Sequence, residues 1–371
     1  LQVPAFIAAV AVAAGLTAPI DASPPAPGPA PVQATPAAPP TAPSAAPAAG
    51  HRLMIASRRN GEWLEALRGL YIAAFHTATG LDADAEIWEG GVDSLRKHLK
   101  AGGWSLVQLT AEELSAGCEE GLLEKIDWSA IGGRDHYLQP AVSDCGVGAS
   151  AHALVLAWDR DKFPGTPTWA DFFDIARYPG KRALPRRARD VLEIALLADG
   201  VAPADVYRTL RGNDGVDRAF RKLDQLRPYL DWWESGSDAT RVLGSGEVLM
   251  TAALNGNVMA ANRAGGRNFG MQWAGAITDF DWWAIPRNSP EAKPAQQFLY
   301  LVGLPALEAR MLAEAGAPGF AKGLADFATP AALAASPLLP ANLSAGLPTD
   351  EAFWHDNQEK LSARFAAWLA R

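Results

Sequence analysis

The chain has 371 residues, 49% of them hydrophobic, and a formal net charge of -8. The acidic balance argues against a polyanion-binding surface, so nucleic acid is not an expected partner. After residue 50 no apolar run approaches the roughly 20 residues needed to cross a bilayer, and the remaining length suits two domains with sizeable cores.

Residues 1–22, "LQVPAFIAAVAVAAGLTAPIDA", are apolar and rich in small residues, as in the h-region and cleavage zone of a secretory signal. The basic n-region is missing and the chain opens with Leu1, so the segment is read as a truncated export signal or as an extension of the tract that follows. That tract, residues 23–50, is Pro/Ala-rich and uncharged. It has too little apolar surface to offset ordering entropy and is read as a disordered linker.

"LMIAS" (53–57) starts like a buried strand and runs into Arg58, Arg59, Asn60 and Gly61. A helix is predicted over 63–80, with Gly80 as its C-cap. Strands at 84–90 and 104–110 flank a helix at 92–103, and this alternation predicts βαβ units with a mainly parallel sheet. A further helix is expected over 111–128. A long apolar strand at 146–164 suits a crossing between two lobes. Helices are predicted at 167–181, with Thr168 as cap, at 188–200 and at 215–230. A helix at 237–247, a strand at 248–256 and an aromatic return strand at 280–287 follow. Helices at 290–305, 306–316 and 350–370 complete the chain. Without an internal repeat, the two lobes must be discontinuous in sequence.

The reactive constellations of common enzymes are missing from the sequence. The six histidines never stand at HxH or HxxxH spacing, and no GxSxG elbow, P-loop or GxGxxG turn occurs. No catalytic residue, metal site or cofactor is therefore assigned. Cys118 and Cys145 are an even pair, which in an exported chain suggests a disulfide worth about 3 kcal/mol through loop entropy; two buried free thiols are the alternative. Thirteen tryptophans are available for pocket walls, including the doublets Trp232-Trp233 and Trp282-Trp283. Strand alternation lets at most one member of each doublet face a ligand, and Trp233 and Trp283 are taken as those members.

The blocks "AGCEEGLLEKIDW", "DCGVG", "PTWADFFDIARYPGKRAL", "LEIALLADGV", "WWESGSD" and "DFDWWAIPRNSP", in this order, resemble extracellular solute-binding proteins of ABC importers, in the spermidine/putrescine-binding branch. The resemblance runs from about residue 53 to the C-terminus. It implies an α/β fold of the type II periplasmic-binding-protein kind, with two discontinuous lobes joined by crossing strands around a ligand cleft. Lobe 1 is expected at 51–155 plus 276–325 and lobe 2 at 156–275. A C-terminal helical segment at 326–371 would pack on the lobes. A periplasmic or extracytoplasmic monomer is implied, binding a small solute, delivering it to an ABC permease and doing no chemistry on it. A ligand-sensing subunit for a membrane receptor has the same sequence features, and an enzyme assembled from scattered residues on this scaffold is the remaining alternative.

Polyamine-binding members hold ammonium groups with carboxylates and box the methylene chain with aromatic rings. Carried over by position, Asp281 matches the family's return-strand aspartate, Ser237 a hydroxyl at the start of the helix after "WW", and Thr110 the polar residue after the "LV" strand. Glu193 or Asp190 is a candidate second carboxylate, with a plain helix-surface role open for either. The departures lie where a cation would be favoured. Leu254 and Asn257 replace an aromatic and an aspartate, and Ser57, Arg58 and Arg59 replace a Trp-containing turn. An arginine buried beside a diammonium ligand would cost several kcal/mol at an effective dielectric of about 20, whereas one facing a carboxylate makes a bidentate pair. If the arginines face the cleft rather than solvent, the expected ligand is a zwitterion such as an amino acid derivative, or an organic anion, rather than a polyamine.

Overall fold

A computed structural model describes residues 52–371. The export segment at 1–22 and the linker at 23–50 lie outside the described residues. β1 (Leu53–Ser57) is nearly all apolar and buried, as an interior strand requires, and pairs in parallel with β2 (Ala83–Ile87) and β3 (Leu106–Leu109). Between β1 and β2 the chain crosses over in a helix spanning 62–79, which contains one π-helical stretch, Leu67–Ile72, and stops at the expected Gly80, left-handed at φ 71°.

Two long strands follow, β4 (Val147–Asp159) and β8 (Phe269–Ala284). Between them in sequence lie β5 (Arg182–Pro185), β6 (Leu230–Trp233) and β7 (Met250–Leu254), while β9 (Leu347–Pro348) is a short addition beside β8. The sheet order is β2-β1-β3-β8-β4-β7-β5-β6. β5 is parallel to β6 and β7, whereas β3–β8, β8–β4 and β4–β7 are antiparallel. Two parallel halves are thus joined by a pair of antiparallel crossing strands.

Hydrophobic burial divides along the same line. One core takes Ala153–Trp158 of β4, the strands β5 to β7 and the helices around them. The other takes β1, Ala149 and Ala151 of β4, Trp283 of β8 and the helices Ala292–Val302 and Pro305–Ala315. A smaller cluster around Trp88, Trp104 and Trp282 completes the second side. The C-terminal helix Glu351–Leu369 buries Phe353, Trp354, Phe365 and Trp368 in the first core. Near the divide the β4–β8 register shifts between Leu154 and Leu156, opposite Gly275 at φ 72°, so the crossing strands carry a bulge there.

Several elements differ from expectation. The helix expected over 111–128 ends at Glu119, because Gly121 turns the chain at φ 66° and Leu123 bridges to Pro286. The one expected over 167–181 keeps only Trp169–Phe173, although Thr168 caps it in a reciprocal box with Asp171. β8 begins at Phe269, well before the expected 280; β5 was not anticipated, and the Trp232-Trp233 doublet, read with strand alternation, ends β6. Cys118 and Cys145 are joined by a disulfide, with Cα atoms 5.7 Å apart, which ties the helix Ala111–Glu119 to the entry of β4.

Candidate ligand-binding site

Ligands of open α/β sheets sit beyond the carboxyl ends of the parallel strands. Here those ends converge on one cavity of about 630 Å³. β1 delivers Arg58, Arg59, Asn60, Gly61 and the start of the following helix. β3 delivers Thr110, β5 delivers Arg187 and Arg189, β6 delivers Ser235, Gly236 and Ser237, and β7 delivers Leu254, Gly256 and Asn257. His152 of β4 and Asp279 and Asp281 of β8 form the floor.

The turn after β1 holds its two arginines in different ways. Gly61 has φ 59° and ψ -136°, a conformation open to glycine, and it lets the chain leave the strand and enter a helix at once. Arg58 Nη1 donates to Glu113 Oε1, and its guanidinium lies 5.5 Å from the Trp88 ring centroid. Glu113 is buried; it also accepts from Gly91 N at 2.6 Å and closes the capping box with Thr110. Arg58 is thereby paired with a buried carboxylate. Arg59 lies over Trp63 at 5.2 Å, with Nη1 3.8 Å from Asp281 Oδ2, beyond hydrogen-bond range. Its buried Nη1 has no hydrogen-bond partner within the protein. Burial pulls the Arg59 guanidinium below its ordinary value, against the attraction of Asp281 and Asp279.

Strand alternation builds the floor. Ser150 stands opposite Asp281 and His152 opposite Asp279, so these four polar side chains share a face. Asp281 Oδ2 accepts from Gln108 Nε2 and Ser150 Oγ, both at 3.2 Å, and lies 3.7 Å from His152 Nδ1. Burial raises the Asp281 carboxyl above its ordinary value, with Arg59 and Arg58 opposing. Burial also pushes Asp279 up to about 7; Arg189 opposes this, while Glu351 and Asp281 add to it. His152 is held well below its ordinary value, first by burial and then by Arg59, Arg189, Arg187 and Arg58, so it is neutral at pH 7.

The segment after β5 carries the strongest backbone outlier. Arg189 is extended at ψ 139°, and Asp190 has φ 74° and ψ -41°, the region of a strained γ-turn that non-glycine residues rarely enter. The distortion breaks the helix start, so that Arg187 and Arg189 both reach the cavity. Asp190 Oδ2 accepts from Arg187 Nε at 2.7 Å. Arg189 Nη2 donates to Asp279 Oδ2 at 2.9 Å, and the same guanidinium makes a two-pronged pair with Glu351. Burial disfavours the Arg189 charge, but these carboxylates outweigh it and raise its value.

Of the residues singled out from sequence, Asp281, Ser237, Thr110, Arg58, Arg59 and Asn257 come together around the cavity. Four others lie outside its lining. Ser57 is buried beneath the arginine turn, bonded to Gln108 Oε1 and to the Arg59 carbonyl. Trp283 packs one layer back against Trp63 and Phe298, and Trp233 is buried in a core with Arg187 over its ring. Glu193 is fully buried, accepting from Tyr207 Oη and Trp354 Nε1. Asp190 acts through Arg187. Sequence reading missed Trp63, His152, Arg187, Arg189 and Asp279. Asp279 was accessible from period-two alternation with Asp281; Arg187 and Arg189 had only their place after an unrecognised strand. Among the described residues no group of three His, Cys, Asp or Glu side chains could hold a metal ion.

A charged cavity flanked by two cores, at the strand ends of a crossed α/β sheet, defines a solute-binding protein. The chain belongs to the bacterial extracellular solute-binding protein family, whose model matches residues 71–341. It is 34% identical over 304 residues to the gamma-aminobutyric acid-binding protein of Pseudomonas aeruginosa, covering 81% of this chain and 86% of that one. The solved Atu4243-GABA receptor is similar with a TM-score of 0.74 and 26% identity, covering 86% of this chain and 98% of the other. The binding protein AgtB of A. tumefaciens R10, in complex with agropinic acid, is similar with a TM-score of 0.70 and 27% identity over 86% and 99% of the two chains.

Proposed function

We propose that this protein is the periplasmic component of an ABC importer and captures a small zwitterion carrying one amine and one carboxylate, of the gamma-aminobutyric acid type. Arg59 carries the reading: a half-buried guanidinium at the cavity wall whose buried Nη1 has no partner within the protein and lies close to, but is not bonded to, Asp281. A ligand carboxylate supplies the missing acceptor, and Asp281 with Asp279 receives the ammonium group. A diammonium ligand would instead bring a second cation against Arg59, at a cost of several kcal/mol at an effective dielectric of about 20. The names of the relatives point the same way.

The two cores serve as lobes, and the bulged crossing strands β4 and β8 as the hinge between them. Closure excludes water and strengthens every charge contact in the cleft. The solute leaves unchanged and passes to a membrane permease. The test is a thermal-shift panel on the ligand-free protein with gamma-aminobutyric acid, butyrate and putrescine. Stabilisation by the amino acid of about 2.7 kcal/mol at a hundredfold excess over Kd supports the reading. Stabilisation by putrescine alone, or chemical conversion of a test solute, overturns it.

A further inference from the structure

Three of the four arginines lining the cavity have a carboxylate partner set outside the lining: Arg58 has Glu113, Arg187 has Asp190 and Arg189 has Glu351. The third pair differs from the others, because Arg189 is shared with an aspartate that does face the cavity. Glu351 takes both guanidinium nitrogens, Nη1 at 3.1 Å and Nη2 in a shorter contact, whereas Asp279 receives a single bond from Nη2 at 2.9 Å. Glu351 is itself fixed. It opens the C-terminal helix next to the N-cap Asp350, whose side chain accepts from Phe353 N at 2.9 Å and from Arg211 Nη2 at 2.6 Å.

We propose that Glu351, though outside the cavity, is the residue that sets ligand charge selectivity, by occupying Arg189 and so leaving Asp279 as an incompletely neutralised carboxylate for a ligand ammonium group. The inference rests on the zwitterion reading above. Around the floor, Arg59 and Arg189 face three carboxyl groups, Asp279, Asp281 and Glu351, and His152 is neutral, so once all three are ionised one negative charge is left over. A bidentate carboxylate holds a guanidinium more firmly than an end-on one. Without the Glu351 charge, Arg189 turns wholly to Asp279. The floor then becomes neutral, and a plain carboxylate fits as well as a zwitterion. Glu351 is a positioning residue: it touches the solute only through Arg189.

The experiment is calorimetric titration of wild type, Glu351→Gln and Glu351→Asp with gamma-aminobutyric acid and with butyrate, repeated from pH 5.5 to 8.5. Gln keeps the size of Glu and one acceptor oxygen but removes the charge and the second acceptor for Arg189, and Asp restores the charge. The expected result is that Glu351→Gln lowers the preference for the amino acid over butyrate at least tenfold and that Glu351→Asp recovers most of it. Asp279 is faced by Arg189, Arg59, Glu351, Asp281, His152 and the Phe280 N–H. Loss of Glu351 should therefore also move the midpoint of the pH profile for amino acid binding downward. An unchanged preference and an unchanged midpoint in Glu351→Gln overturn the inference, even if its melting temperature falls. If wild type fails to bind the amino acid, the zwitterion reading itself has failed, and that result is read without any variant.

Discussion

Two adjacent arginines with the same local sequence are given opposite tasks by their neighbours. Arg58 is bound to the buried carboxylate of Glu113, while Arg59 lies over an indole at the cavity wall and keeps a buried nitrogen without a hydrogen-bond partner. Arg59→Ala is expected to weaken zwitterion binding about 10–100-fold, the worth of a charge-assisted hydrogen bond, with little loss of stability. Arg58→Ala should do the reverse, lowering stability by about 1–3 kcal/mol because Glu113 loses its cation. Calorimetry and urea unfolding on the two variants separate these effects. The raised Asp279 carboxyl makes a further prediction. An ammonium group competes with the Asp279 proton, so affinity for an amine-bearing ligand should rise by up to tenfold per pH unit below about 7 and level off above it. The sequence alone showed that the arginines were out of place for a polyamine binder. Which of them keeps an unpaired nitrogen depended on Glu113 and Trp88, whose approach only the fold creates.

At the scale of elements, the site is assembled from strand ends, and its precision rests on a few turns. Gly61 at φ 59° has open space around its Cα, so Gly61→Ala meets no clash and only the backbone conformation is penalised. The expected cost is about 1–3 kcal/mol in denaturant unfolding, with weakened ligand binding as the Arg59 turn relaxes. An unaffected variant would show that the turn has other conformations available. The legible elements were those with a clean period or a recognisable cap, namely β1, β4, the Gly80 stop and the Thr168 start. β5 was hidden because "RALP" begins with an arginine. That Arg182 is fully buried and satisfied by the carbonyls of Phe172, Tyr178 and Gly180, which no local pattern discloses. Missing β5 meant missing Arg187 and Arg189 as site residues. The Asp190 outlier that aims them was equally invisible, since Asp carries no signal for a strained turn.

Across the whole molecule, buried carboxyls dictate the pH response. Burial raises Glu308 to about 8 and Glu193 to about 7, as it does Asp279. Above about pH 4 the folded protein therefore holds protons that the unfolded chain releases. The stability these groups contribute is fully present below the unfolded value and is lost as pH rises through about 7 to 8. Glu308→Gln, which keeps an acceptor for Ala321 N, should flatten the alkaline part of that decline in unfolding experiments between pH 6 and 9. Reduction of the Cys118–Cys145 bridge, which closes a separation of 27 residues, should cost about 3–4 kcal/mol and loosen the link between the Thr110 helix and β4. Alternating elements made a mainly parallel α/β sheet legible, and the resemblance to solute-binding proteins implied the two halves on crossing strands. The seating of the C-terminal helix, which brings Glu351 to Arg189, was not legible, since the contact joins residues 162 positions apart.

The central claim is that the cleft selects one amine and one carboxylate, with Arg59 as the receptor for the carboxylate. Competitive calorimetry of gamma-aminobutyric acid against putrescine, on wild type and Arg59→Ala at pH 7.5, tests it most directly. The account predicts that wild type prefers the amino acid by at least tenfold and that Arg59→Ala loses or reverses the preference. Tighter binding of putrescine by wild type, or an unchanged preference in the variant, would contradict it.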